Sequence, residues 1–364
     1  LTHLADNVYA VILAGGSGTR FWPKSRHRSP KQLCTIGSDS KTMIEITLER
    51  LDKFIPVERR LIVTHKDQVD DTRDIVGDRC QWYLAEPEAR NTANALTLAA
   101  LEINARYKGD KKPIMVSLHA DHVIQKVDLF QDAIRDGVQV AAEGLLTLLG
   151  IVPSYPETGY GYIEKGEALS NTPGAKVKSF REKPELSIAT EYVSSGRFLW
   201  NAGIFIWKTE TLLRELEEKL PIAPQKLKTL LADKGSFQDL PPEDLETVYG
   251  QLPKISIDHA VLETSKQVAV IDADIGWQDV GSWDALAKCF PTDSNGNLRY
   301  GDVISIDSEG TTIDSDGPLI ACIGLKDMIV VTAKGAVLVC PRDRAQDVRK
   351  IVSYLKEGNR EEYL

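Results

Sequence analysis

The sequence predicts an α/β protein: a mixed, mostly parallel sheet with helices on both faces, followed by a small β-rich C-terminal domain. Three observations carry that expectation. Short unbroken apolar runs alternate with segments of helical spacing through the first half. A glycine-rich turn follows the first apolar run directly, at the strand end where open α/β sheets bind their ligands. After Phe290-Pro291 the texture changes to short β-type runs separated by Gly- and Asp-containing turns. The expected layout is a Rossmann-like main domain over residues 1–290 and the small domain over 291–364, in a chain of 364 residues that is long enough for both.

Taken in order, the runs 8–13, 61–63, 114–118 and 145–152 have the length and continuity of buried strands. Between them, Ile44, Leu48 and Leu51 fall at i, i+4 and i+7, as do Leu96, Ala100 and Ile103. Phe130, Ile134 and Val138 keep the i+4 step, so each set reads as one face of a helix. The stretch from about 153 to 283 is less regular, punctuated by Pro221, Pro224, Pro241 and Pro242, with a surface helix over 210–220 that is charged on one side. Beyond it, 302–306, 311–313, 319–323 and 328–339 read as strands, and Val348, Ile351, Val352 and Leu355 form the stripe of a closing helix. No strict short repeat runs through this part, so a long β-helix is not expected.

Composition excludes several classes. Apolar content of 42% and charged content of 27% are those of an ordinary globular protein. A net charge of −9 argues against a nucleic-acid partner, which calls for a broad basic face. Cys34, Cys80, Cys289, Cys322 and Cys340 are scattered, odd in number and without C-x-x-C spacing, which fits a reducing, cytoplasmic setting. No run approaches the roughly eighteen apolar residues of a membrane span, and the start at Leu1 lacks a signal peptide's regions. The absence of an initiator Met there suggests a trimmed start. No G-x-S-x-G elbow is present, and no cysteine has a local activating motif, so a covalent enzyme intermediate is not expected.

The chemistry starts at the glycine turn, where Leu13, Ala14, Gly15, Gly16 and Gly18 lead into Arg20 and, after Pro30, Lys31. Glycines let backbone N–H groups approach an oxyanion, and the two cations that follow can neutralise a polyphosphate. A Walker A loop is excluded, because no Gly-Lys-Ser/Thr follows Gly15 and Gly16. A dinucleotide fingerprint fails as well, since Phe21 stands where its third glycine belongs. Lys24, Arg26, His27 and Arg28 join Lys31 in a basic cluster whose position favours a local anion. Further on, Asp121 follows the run 114–118 and faces the same sheet edge. A hard carboxylate there suits Mg²⁺ bridged to phosphates, whereas His119 and His122 beside it leave a transition metal as the alternative. Mg²⁺ is preferred because the two histidines alternate poorly around a strand.

The segment from Val11 to Gln32 resembles the N-terminal signature of the sugar-1-phosphate nucleotidyltransferases. Phe21-Trp22-Pro23-Lys24-Ser25-Arg26 and Pro30-Lys31-Gln32 look like the mannose-1-phosphate guanylyltransferase branch of that family. The branch usually has Leu-Trp-Pro-Leu-Ser-Arg in the first element and a proline in place of His119. The resemblance implies GTP and mannose 1-phosphate as substrates, Mg²⁺ as cofactor, Arg20 and Lys31 as catalytic cations, and a homodimer assisted by a short left-handed β-helix-like C-terminal piece. It implies Asp279, in Trp277-Gln278-Asp279-Val280-Gly281, as the second Mg²⁺ ligand, although that stretch alone also reads as a surface turn. Glu86, Arg90, Asn91 and Thr92 would help bind the guanosine, Asn91 or Thr92 reading equally as a helix N-cap. Tyr160 and Gly161, Glu182 and Lys183, and Asn201 would hold the sugar phosphate, and Asp258 matches a family position as a supporting acid. Relatives that also isomerise a hexose phosphate carry a further domain, and isomerase activity is not expected of these 364 residues.

Overall fold

The apolar run Val8–Leu13 forms strand β1, with every residue buried because helices cover both sides of it. Val8, Ala10 and Ile12 point into one hydrophobic core, while Tyr9, Val11 and Leu13 point into the other. The computed structural model describes residues 4–16, 18–37 and 40–364, with backbone only at Asp233. The first three residues of the N-terminal reading and the serine of the glycine turn lie outside the described residues.

The next elements are α1 (Met43–Glu49), β2 (Arg60–His65), α2 (Val69–Val76), β3 (Trp82–Glu86), α3 (Thr92–Arg106), β4 (Ile114–His119), β5 (His122–Ile124), α4 (Val127–Ala142) and β6 (Leu146–Ile151). The middle supplies β7 (Tyr162–Ala168), β8 (Ala175–Arg181), α5 (Leu186–Ser195), β9 (Phe198–Lys208), α6 (Thr209–Lys219), α7 (Ile222–Lys234), α8 (Pro242–Tyr249), β10 (Val268–Asp272) and β11 (Trp277–Asp279). The main sheet runs β3-β2-β1-β4-β9-β6-β10-β8-β7. It is mixed, as expected. Strands β3, β2, β1 and β4 are parallel, as are β6 and β10. Strand β9 enters antiparallel between β4 and β6, so the second half of the sheet is more antiparallel than the sequence pattern suggested.

The stretch expected to be irregular is therefore largely ordered structure. Pro241 and Pro242 stand at the start of α8, where a missing N–H costs nothing. Helix α6 keeps its charged side outward and buries Leu212, Leu213 and Leu216 against the sheet. No helix among the described residues is long and apolar enough to cross a membrane.

After α9 (Leu286–Cys289), the chain coils through β12 (Leu298–Tyr300), β13 (Val303–Ile306), β14 (Thr312–Ser315), β15 (Ile320–Ile323), β16 (Met328–Ala333) and β17 (Ala336–Pro341). Thr312 pairs in parallel with Ile329, and Val303 with Ile320, each at an offset of 17 residues. Leu298 pairs in parallel with Thr312 at an offset of 14, and such parallel pairing of a chain with its own next turn makes a short β-helix. Helix α10 (Val348–Glu357) closes it by burying Val348 and Val352. The run 328–339 is a hairpin, turning at Lys334-Gly335, where both residues have positive φ.

Candidate active site

The carboxyl ends of β1 and β4 and the first half of β9 open onto a cavity of about 620 Å³. Its root is fixed by backbone groups. Leu13 accepts from the Ala120 N–H, and Ala14 donates to Val63 while accepting from Gln32 and the Thr64 hydroxyl. Leu13 and Ala14 thus anchor the turn, and Gly15 is the part that reaches the cavity wall. Gly18 has φ of 54°, and a Cβ there would stand 2.6 Å from Cβ of Lys31. Only glycine lets Lys31 close onto the turn.

Lys31 is 4% exposed, and its ammonium lies 3.0 Å from Asp121 Oδ2 and 3.8 Å from Asp279 Oδ1. The two carboxylates meet because β5 pairs antiparallel with β11, which sets Asp279 opposite His122. Burial opposes the charge on Asp121, yet Lys31 and the neighbouring imidazoles outweigh it and hold the carboxyl far below the usual range. Arg20 is the exposed residue of the turn Thr19–Phe21, with its guanidinium beside Gly281, just past Asp279.

Two cations of the basic cluster, Lys24 and Arg26, have another use, and for these the expectation of a local anion is corrected. Lys24 is buried and bonds both oxygens of buried Asp314 at 2.7 Å, tying the segment after the turn to the β-helix. Arg26 donates to the carbonyls of Lys334 and Glu362, and His27 N–H to that of Leu364. Phe21 and Trp22 share a core with β12, β16, β17 and α10.

On the nucleotide side, Asn91 caps α3 by accepting from Thr92 N–H, and the Thr92 hydroxyl accepts from Ile257 N–H. Both line the cavity. Glu86 stands just behind Gly15, and burial pushes its carboxyl up to about 7 against the Tyr249 hydroxyl that donates to it at 2.6 Å. Arg90 is directed elsewhere: it holds the carbonyls of Gly250 and Leu252 and pairs with Glu88.

On the opposite wall, Tyr160 packs edge-on against Trp200 and Trp277. Gly161 lies so close to Glu182 that a Cβ would approach its Oε2 to 2.6 Å. Lys183 pairs with Glu182 at 2.5 Å. Asn201 donates to Asp258 at 2.9 Å and accepts from Gly203 N–H, so its amide is held from both ends. Burial and the charge of Glu182 push the Asp258 carboxyl up to about 6. Asn201 and Gly203 belong to strand β9, within the stretch expected to be less regular.

Residues 254–256 and His259 also line the cavity and carried no sequence signal beyond following Pro253. The two histidines need a correction too. Strand β4 ends at His119 and β5 begins at His122, so the turn between them brings both imidazoles and Asp121 within 4.8 Å of one another. Burial pushes His122 down to about 4, and its Nδ1 accepts from the Trp277 indole at 3.1 Å.

Residues 9–296 match the nucleotidyl transferase family model, and 301–355 match a mannose-phosphate isomerase/GMP-like β-helix domain. Mannose-1-phosphate guanylyltransferases of Klebsiella pneumoniae and Escherichia coli are each 39% identical over 359 residues, spanning 97% of this chain and 75% of theirs. The crystal structure of mannose-1-phosphate geranyltransferase from Thermus thermophilus superposes with a TM-score of 0.86 at 34% identity, over 96% of this chain and 99% of that one. The chain belongs to the nucleotidyl transferase family, in its mannose-1-phosphate guanylyltransferase branch. This nucleotidyltransferase joins a mixed α/β catalytic fold to a β-helix, and enzymes of its family work with a divalent metal. Its donor set fits one: Asp121 and Asp279 are partly exposed carboxylates on the cavity wall that both face the ammonium of Lys31 behind them. His122 is a poorer ligand, because the indole already occupies the lone pair of its Nδ1 and leaves the proton on Nε2.

Proposed function

We propose that this enzyme transfers GMP from GTP to mannose 1-phosphate, giving GDP-mannose and pyrophosphate. The observation that carries the reading is Lys31 held between Asp121 and Asp279, with the Gly15 turn on one side and Glu182, Lys183 and Asn201 on the other. A sugar-phosphate oxygen attacks the α-phosphorus in line, and pyrophosphate leaves. That oxygen is already an anion, so the protein's task is positioning and charge neutralisation. Gly15 and Gly16 offer backbone N–H groups to the phosphates, while Lys31 and Arg20 offset the charge on the α-phosphate and the leaving group. Lys183 takes the sugar phosphate, and Glu182 and Asn201 take hydroxyls. Asn91, Thr92 and Glu86 face the guanosine, with Arg90 holding the loop beneath it. Asp121 and Asp279 would hold Mg²⁺, whose contribution when bound is to draw charge from phosphate oxygens.

The catalytic unit spans residues 1–290 and the β-helix 291–364. The enzyme acts as a homodimer through the β-helix, a reading supported by Ile304, Ile306 and Ile323, which share one exposed face. The five free thiols support a cytoplasmic setting.

Pyrophosphate release with defined substrate pairs tests the reaction. GTP with mannose 1-phosphate should turn over fastest. Faster turnover with a glucose or manno-heptose 1-phosphate, or with ATP, would reassign the substrate. No turnover with any pair would leave a sensor of nucleotide sugars.

A further inference from the structure

Behind the catalytic floor lies a second cavity of about 330 Å³, separated from the first by His122, which lines both. Its walls are mostly apolar: Ile36, Met43, Ile46, Val123, Ile124 and Phe290. Three polar side chains also line it, His122, Gln125 and Arg50, and of these Arg50, at the end of α1, is the one full cation. The residue is 5% exposed, yet no carboxylate among the described residues lies within ion-pair distance of it. Its guanidinium donates from Nη1 to the Thr47 hydroxyl at 3.1 Å, and its Nε is buried with no partner. A buried cation without a counter-charge is costly to keep, since the usual solutions are a paired acid or an apolar replacement. Burial pushes its guanidinium down to about 10, which still leaves it charged at neutral pH.

The Thr47 hydroxyl that receives Arg50 donates in turn to the Ala120 carbonyl at 3.2 Å. That carbonyl belongs to the peptide leading into Asp121. A chain of two hydrogen bonds therefore joins the orphaned cation to the turn that carries the metal-facing carboxylate.

We propose that this rear cavity is a binding site for a small organic anion, a carboxylate or phosphate on an apolar body, with Arg50 as its counter-charge. The apolar walls receive the body and the guanidinium receives the head, a division of labour usual for small-molecule sites of this size. Occupancy draws Arg50 away from Thr47 and so alters the hold on Ala120, which couples the rear cavity to Asp121.

Octanoate is a suitable probe, with octanol as its uncharged match, on the full chain. Octanoate should raise Tm and bind by calorimetry, octanol should bind much more weakly, and Arg50→Met should lose about tenfold or more in octanoate affinity. Ile46→Trp, which fills the cavity and leaves Arg50 in place, should lose octanoate as well. Equal binding of octanol and octanoate, unaltered octanoate binding in Ile46→Trp, or no binding to the unaltered chain would overturn the site. Arg50→Met should fold with undiminished Tm, because it removes an unpaired buried charge; a large loss of Tm would show that Arg50 serves the fold itself and overturn the proposal. For the coupling, octanoate should shift the Mn²⁺ dissociation constant measured by calorimetry in the unaltered chain and not in Arg50→Met. An identical Mn²⁺ constant with and without bound octanoate overturns the coupling. This arm rests on the reading of Asp121 as a metal ligand, whereas octanoate binding needs no metal, so the two readings fail separately.

Discussion

Lys31 is a buried ammonium that faces two carboxylates at 3.0 and 3.8 Å, and this arrangement defines what its loss should do. Lys31→Ala should lower kcat by roughly 10²–10³ while far-UV circular dichroism stays unchanged. Near-normal turnover would remove it from catalysis. Glu86 makes a prediction of a different kind. Its carboxyl, raised by burial from 4.5 to about 7, is neutral in the empty protein at mildly acidic pH. Guanine offers N–H donors, which only the carboxylate accepts well. GTP affinity should therefore rise with pH through about 7 and level off above it, falling about tenfold per unit on the acid side. Glu86→Gln should flatten that profile in calorimetric titrations, and an unflattened one would detach Glu86 from the base. The same shift works against the empty fold. Between 4.5 and about 7 the folded state holds a proton that the unfolded state has released, so stability falls as pH rises across that window.

At the scale of elements, the glycine turn and the segment after it act as one piece, because Gly18 lies against Lys31. Gly18→Ala forces a Cβ into Lys31 and a positive φ onto an L-residue. Turnover should fall at least as far as in Lys31→Gln, with a loss of about 1–3 kcal/mol in stability, measured by denaturant titration. Unaltered turnover would show that the contact is dispensable. How much of this was legible follows from which signals are local. Strands β1, β2, β4 and β6 were readable because each is built on a short, mostly apolar run, and α3 and α4 because their stripes repeat at helical spacing. Strand β9 was not. Asn201 and Gly203 interrupt its apolar pattern for the sake of the cavity, and that is the signature of a loop when seen in sequence. Lys24 and Arg26 misled for a related reason: whether a cation meets a ligand or a partner 290 residues away is a tertiary fact. The turn between β4 and β5 hid the convergence of His119 and His122 in the same way.

For the molecule as a whole, the Lys24–Asp314 pair matters more than its size suggests. Both side chains are almost fully buried, one in the segment that carries Lys31 and the other in the β-helix. Lys24→Met takes the counter-charge from a buried acid and should cost about 3–5 kcal/mol by thermal or denaturant unfolding, whereas Lys24→Met with Asp314→Leu should recover most of it. A double variant no better than the single one would mean that the pair is not the link. Assembly can be tested on the exposed face of β13 and β15. Light scattering should report a dimer that Ile306→Glu with Ile323→Glu turns into a monomer. A persisting dimer would move the interface elsewhere, and a monomeric unaltered chain would remove it.

The in-register stacking of successive turns of the β-helix has a further consequence, for how this end of the protein can change in descent. Thr312 lies on Ile329 and Val303 on Ile320, 17 residues on, whereas Leu298 lies on Thr312, 14 residues on, the difference falling between the strands and not within them. Inserting one residue within a strand would turn every later side chain of that strand inside out. Duplicating a whole layer would leave inside and outside as they were. Length here is thus constrained within the strands and free between them: lineages can lengthen or shorten it by complete layers, or at the corners, far more readily than by single residues inside a strand.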